Sequence, residues 1–218
     1  MRLILIFLCC ASTVFGQPKD TGRRIFTEKA IDSLVTVSSR DSIHFIERLA
    51  AYYFHQKLNE YRKSKRLKPL FWNEALWLAS QNQAMWLIRN NKFEHVQKAG
   101  TPLFTGKTPQ DRLNYVTGGS RKYVFSGENI LYNSNATGES MEAAAHKIAD
   151  ASFLQWKNSP DHNENMLFKD SYAHGTAFVI ADDRLVYAVD LFIYEQAKDL
   201  PEPFQPPVFS GASVRKTR

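Results

Sequence analysis

The chain has 218 residues, 44% of them hydrophobic, with 28 Lys and Arg against 22 Asp and Glu for a formal net charge of +6. That length and composition suit one globular core and exclude a small scaffold that depends on covalent staples. The two cysteines, Cys9 and Cys10, sit at the extreme N-terminus. A chain that loses this end therefore has no disulfide, no thiolate metal site and no cysteine nucleophile.

The N-terminus reads as a cleavable leader. Arg2 supplies a positive charge, Leu3 to Cys10 is an unbroken apolar run, and Val14-Phe15-Gly16 offers a cleavage site before Gln17. Even counted to Phe15 the stretch is 13 residues, short of the roughly 18 needed to cross a bilayer. Residues 1–16 are thus expected to be a signal peptide, and the mature protein to be secreted or periplasmic with no membrane span. A lipoprotein is not expected, because Leu8 and Cys9 rather than small residues precede the two cysteines.

Residues 17–40 are polar and mixed, and read as an N-terminal arm. From Asp41 the period changes: Ile43, Ile46, Ala50, Tyr53, Phe54, Leu58 and Tyr61 recur at helical spacing. The basic cluster that follows, Arg62, Lys63, Lys65, Arg66 and Lys68, carries no interleaved aromatics. It is read as a solvated face, and nucleic acid is not expected as a partner. A second helix is predicted over Glu74 to Arg89, capped by Asn73, with Leu76, Ala79, Trp86 and Leu87 facing inward. Thr108-Pro109 starts a short helix through Tyr115, which Gly118-Gly119 breaks.

Strand chemistry over Tyr123 to Tyr132 is followed by a third long helix, Glu139 to Lys157, with Ala145, Ile148, Phe153 and Trp156 inward. Ser159-Pro160 begins a further turn containing His162. Tyr172 to Ile180 and Leu185 to Tyr194 are β-branched and aromatic runs around Asp182-Asp183, a hairpin signal. The domain is therefore bounded at residues 41–198. The basic tail, residues 199–218, holds Pro201, Pro203, Pro206 and Pro207 and is expected not to pack. Asn135-Ala136-Thr137 fits a glycosylation acceptor, relevant only in a eukaryotic secretory pathway. His44, His55 and His146 are read as surface or partly packed helix residues. His174 is read as lining a cleft or ending a strand ladder, and Trp72, Trp77, Trp86 and Trp156 as core.

Three strings place polar groups in apolar settings: Asn91-Lys92-Phe93-Glu94-His95, Ser126-Gly127-Glu128-Asn129-Ile130, and Trp156-Lys157-Asn158-Ser159-Pro160-Asp161-His162-Asn163-Glu164-Asn165-Met166-Leu167. Together with His55-Gln56-Lys57-Leu58-Asn59-Glu60-Tyr61-Arg62 and Leu67-Lys68-Pro69-Leu70-Phe71-Trp72-Asn73-Glu74-Ala75-Leu76, they occur in the order of a known family. The chain resembles the CAP superfamily (the SCP domain of cysteine-rich secretory proteins, antigen 5 and pathogenesis-related proteins), in its cysteine-free bacterial branch. The resemblance runs from Ile43 to Tyr194.

That resemblance implies an α+β fold, a three-layer α-β-α sandwich with a small antiparallel sheet between helices and a wide cleft. It places His95, His162 and Glu128 in the cleft as candidate metal ligands. Ser159 stands where the family's second glutamate lies. Two imidazoles and one carboxylate suit a divalent cation such as zinc, and the same trio could do acid–base work. The resemblance implies an exported, non-enzymatic binding module with no catalytic residue assigned. Its partner would be a small molecule, a lipid or a cell-surface component. The alternative is a secreted hydrolase or peptidase using the same cleft. The chain contains no G-x-S-x-G elbow and no H-E-x-x-H helix to support that alternative.

Overall fold

The computed structural model of the protein describes residues 42–119, 123–134, 137–181, 184–194 and 204–208. The expected leader and arm, the glycosylation acceptor Asn135 and the Asp182-Asp183 turn lie outside these residues. In chain order the elements are α1 (Ser42–Ser64), β1 (Phe71–Trp72), α2 (Glu74–Asn90), α3 (Pro109–Thr117), β2 (Phe125–Asn133), α4 (Met141–Lys157), α5 (Pro160–Leu167), β3 (Ala173–Ile180) and β4 (Val186–Ile193).

Local chemistry explains most of the boundaries. Asn73 accepts a hydrogen bond from the Leu76 amide at 3.0 Å and starts α2. Asn91, in the left-handed conformation at φ 49°, ends it. Thr108 and Asp111 form a reciprocal capping box at α3, with Pro109 in the first turn and Gly118 closing the helix at φ 62°. Ser140 caps α4 through the Ala143 amide. No helix among the described residues is long and apolar enough to cross a membrane.

The four strands lie in the order β1-β3-β4-β2. β3 pairs antiparallel with β4, and β4 antiparallel with β2. The expected antiparallel sheet is in fact mixed, because the two-residue β1 pairs parallel with β3, Phe71 opposite Ala173 and Trp72 opposite His174. So short a strand has no alternation to read in the sequence; the Asn73 cap just after it fixes where the chain leaves the sheet.

Successive residues of a strand face opposite ways, and β3 shows which helices cover which face. His174 meets His55 of α1. Gly175 meets α2 so closely that a Cβ would lie 2.3 Å from the Trp77 amide nitrogen, and its carbonyl accepts from Ser80 Oγ at 2.7 Å. A side chain at position 175 would push α2 off the sheet. Helix α1 with α4 therefore covers one face and α2 the other, which is the expected layered arrangement.

Trp156 is fully buried on the α1–α4 side, edge-on to Phe54 with centroids 5.2 Å apart, and its Nε1 donates to the Ile130 carbonyl. All four tryptophans are in the core. Helix α2 buries nearly its whole circumference rather than one stripe: Ser80, Gln81, Asn82 and Gln83 are as buried as Leu76 and Leu87. The long segment between α2 and α3 wraps its outer side, and polar side chains there are used to pin that segment.

One residue of the basic set is also placed differently from expectation. Arg62 is completely buried rather than part of a solvated face, and its guanidinium donates to the carbonyls of Lys68, Met166 and Phe168. Lys63, Lys65, Arg66 and Lys68 do face solvent. His174 stands at the end of the short β1–β3 ladder, opposite Trp72. It is fully buried between His55 and Asp190.

Hydrogen-bond direction along that buried chain can be deduced. Asn59 Oδ1 accepts from the Leu70 amide, so its Nδ2 is the donor facing His55 Nε2 at 3.4 Å. His55 Nδ1–H then donates to His174 Nε2 at 2.7 Å, and His174 Nδ1–H donates to the Asp190 carboxylate at 3.0 Å. Burial first, and the neighbouring His174 second, push the His55 pKa down to about 3.

The tail is not wholly free of the domain. Phe204 packs against the core, stacked on Trp72 at 3.9 Å between centroids with an interplanar angle of 8°. A proline-rich composition signals weak packing on average, but one aromatic ring that finds a flat partner overrides it locally.

Candidate functional site

The sheet has β2 at one edge, and the site is assembled along that edge from three segments. On β2 the odd positions face α5: a Cβ on Gly127 would strike the Asn165 side chain, and Asn129 donates to the His162 carbonyl at 3.0 Å while accepting from Asn165 at 2.8 Å. Glu128, an even position, therefore points to the opposite side, where α3 and the segment carrying His95 lie.

Glu128 uses both carboxylate oxygens. Its Oε1 accepts from His95 Nδ1 at 2.7 Å, and its Oε2 is paired with Arg112 Nη2. Arg112, on the buried side of α3, is fully inaccessible and also donates Nη1 to the His95 carbonyl at 3.0 Å. Arg112 thus holds both the carboxylate and the backbone of the histidine that the carboxylate orients. Because a carboxylate only accepts, the His95 proton sits on Nδ1 and Nε2 is left with its lone pair in the neutral ring. The His95 side chain is about half exposed, at 49%, against 2% for Glu128.

The segment bearing His95 is pinned from below. Gln97 is buried, donates to Gln83 Oε1 at 2.9 Å, and accepts from the Thr105 amide at 2.8 Å. Gln83 in turn donates to the Glu94 carbonyl at 2.8 Å. These contacts give a connection without regular secondary structure a fixed path beside β2.

His162 comes from the first half of α5. Its Nδ1 is 2.8 Å from Ser159 Oγ, the residue just before the helix. Burial lowers its pKa from the ordinary histidine value, the charge of His95 acts the same way, and Asp161 opposes both more weakly. Each ring thus has Nδ1 engaged and Nε2 without a hydrogen-bond partner among the described residues.

The four residues singled out in the sequence form two contacting pairs, His95 with Glu128 and His162 with Ser159. Arg112, Gln83 and Gln97 were not anticipated. The only cue for Arg112 was its place beside Leu113 and Val116 on the buried side of a predicted helix. Among the described residues no group of three or more His, Cys, Asp or Glu is arranged to hold a metal ion. The reason is visible at Glu128, whose oxygens are already taken by a histidine and an arginine.

The model of the cysteine-rich secretory protein family, CAP, matches residues 55–192. No curated protein matches the chain. Among solved structures, an SCP-domain extracellular protein from Bacillus anthracis str. Ames is similar at 21% identity and a TM-score of 0.53, covering 68% of this chain and 41% of that one. An outer surface protein from Borrelia burgdorferi is similar at 22% identity and a TM-score of 0.46, over 64% of this chain and 87% of that one. A cysteine-rich secretory protein from Staphylococcus aureus shares 17% identity at a TM-score of 0.41, over 68% and 39%. This chain thus spans less than half the length of the Bacillus and Staphylococcus proteins. With a family model matched over most of its length, and with the helices and mixed sheet described above, the chain belongs to the CAP family of cysteine-rich secretory proteins.

Proposed function

We propose that this is an exported binding module, in which His95 and His162 present two imidazole nitrogens to a divalent cation or a small polar ligand. The observation that carries this reading is the division of labour at Glu128. The carboxylate lies behind His95, fixed by Arg112, so that it orients the ring. A carboxylate bonded to the far nitrogen of a histidine sets the tautomer and raises the basicity of the open nitrogen. Glu128 is therefore a positioning residue, and the three-ligand set expected from the resemblance becomes two histidine donors with a carboxylate in support.

Zinc fits such a pair loosely. His95 and His162 would hold it, and Glu128 would keep His95 in the binding tautomer. A bound ion would supply Lewis acidity at the cleft. Two protein donors are fewer than the three of the usual open zinc site, so affinity is expected to be modest.

The hydrolase reading is less well supported. Ser159 does contact His162, but the buried carboxylate backs the other histidine, and the serine–base–acid order of a nucleophilic triad is broken. Export rests on the leader-like N-terminus and the absence of any later long apolar run.

Calorimetry with zinc on metal-free mature protein tests the reading. Binding is expected to strengthen as pH rises through the histidine range, because only the neutral ring donates its lone pair. His95→Ala and His162→Ala should each abolish it, while Glu128→Gln should weaken it about 10–100-fold. Equal affinity in wild type and both histidine variants would place the ion elsewhere and contradict the proposal.

A further inference from the structure

The strand registers bring the starts of β1, β2 and β3 and the finish of β4 to one end of the sheet. Across that end, in sheet order, stand Phe71, Tyr172, Tyr194 and Val124. The Phe71 amide donates to the Tyr172 carbonyl at 3.0 Å, and the Tyr194 amide to the Val124 carbonyl at 2.9 Å. Phe71 is 44% exposed, Tyr194 38% and Val124 50%. The rings touch in pairs, Phe71 with Tyr172 at 5.0 Å between centroids and Tyr194 with Phe168 at 5.4 Å. With strands about 4.8 Å apart, the row is on the order of 14 Å across. Single exposed apolar residues are ordinary, but a contiguous group of them marks an interaction surface.

Two basic loops flank this row. The connection from α1 to β1 carries Lys65, Arg66 and Lys68, and the connection from α5 to β3 carries Lys169; all four are exposed. Buried Arg62 ties the two loops together, donating to the Lys68 carbonyl at 2.9 Å and to the Phe168 carbonyl at 3.1 Å. None of the four cations forms an ion pair with a described residue. Asp170 is the one acid in the two loops. Arg66 stands in the left-handed region at φ 61°, where glycine or asparagine is the usual residue. The turn thus keeps a cation at a backbone cost.

We propose that this end of the sheet is a docking face for an anionic phospholipid bilayer. Aromatic rings settle at the depth of lipid headgroups, and a tyrosine there keeps its hydroxyl in water. Lysines and arginines beside them are drawn to the negative surface, and apolar insertion and charge add in holding a protein there. The cations alone would equally suit an acidic protein. The apolar row between the loops favours a surface that is charged outside and apolar beneath. The face uses neither His95 nor His162.

Co-sedimentation of the full mature chain with vesicles tests this, using phosphatidylcholine alone or with phosphatidylglycerol as about one third of the lipid. The mixed vesicles should bind the protein, and the neutral ones at least about tenfold more weakly. Each lysine near an anionic surface contributes about fivefold, so Lys68→Gln with Lys169→Gln should weaken binding about 25-fold. Lys92→Gln with Lys98→Gln removes the same charge from residues that line a cavity elsewhere, and should change binding less than about threefold. Val124→Ser with Tyr194→Ser leaves the charge untouched and should weaken binding about tenfold. Circular dichroism checks that each variant is folded. The proposal is overturned if the wild type ignores the mixed vesicles, including the case in which it binds polyglutamate instead, as a face for acidic proteins would. It is equally overturned if the two lysine pairs weaken binding alike, or if the Val124 and Tyr194 changes have no effect.

Discussion

Replacing Arg112 with methionine is expected to destabilise the fold by about 3–5 kcal/mol, because it strands a buried carboxylate. Glu128 is buried to 2% of its side chain and Arg112 to 0%. Removing the guanidinium leaves Glu128 with His95 as its one remaining partner and leaves the His95 carbonyl without its Arg112 donor. The loss comes from uncompensated charge rather than lost volume, and a second substitution tests that cause. Arg112→Met combined with Glu128→Leu removes both members of the pair and should recover much of the loss, since apolar replacements of buried pairs are often neutral. Urea unfolding of wild type, single and double variants measures all three. A single variant within about 1 kcal/mol of wild type would mean that Glu128 is not held as a buried ion. In the single variant zinc affinity should fall as well, because the segment carrying His95 loses its anchor.

Acid should weaken the fold well before the carboxylates titrate. His55 has a folded pKa of about 3 against an ordinary value of 6.5. Between those values the unfolded chain takes up a proton that the folded chain refuses, so the unfolded state is favoured as pH falls. Stability contributed by neutral His55 is complete above pH 6.5 and is lost at about 1.4 kcal/mol per pH unit below it. From pH 6.5 to 5 this amounts to about 2 kcal/mol, and the decline continues toward pH 3. His162, lowered for the same reason, adds to the slope. The structural cause is the fixed direction of the Asn59–His55–His174–Asp190 chain, in which His55 Nε2 accepts and has no place for a second proton. Denaturant unfolding at several pH values, on wild type and His55→Gln, checks this. The variant should show the shallower slope whatever its absolute stability; identical slopes would mean that His55 is free to protonate in the folded state.

What could be read from the sequence divides along physical lines. Features set by neighbouring residues were legible: the Asn73 cap, the Thr108-Pro109 start of α3, the helical face that buries Phe54 and Trp156, and the paired strands around residues 182–183. Features that depend on distant partners were not. Nothing local distinguishes Arg62, whose guanidinium fills a space lined by three carbonyls, from the exposed Lys63 beside it. Arg112 looks like any arginine on a short amphipathic helix until β2 brings Glu128 against it. His174 sits in a strand where alternation says only that it faces inward, and its role follows from a helix residue more than a hundred positions earlier. The site residues themselves were reached by resemblance. The geometry then changes the role of Glu128: it was expected as a ligand, whereas its two oxygens are taken by His95 and Arg112. The tail departs from expectation for the same reason, since composition averages over a segment while a single ring, Phe204, decides its contact.

In the proposed module His95 and His162 each offer an open Nε2 to the ligand, with Nδ1 held by Glu128 and Ser159 respectively. Nitrogen-15 NMR of the imidazole rings in metal-free protein at pH 8, followed by addition of zinc, tests it most directly. His95 should carry its proton on Nδ1, and zinc should perturb the Nε2 signals of His95 and His162 together. A His95 proton on Nε2, or a zinc response that leaves both rings unchanged, would contradict it.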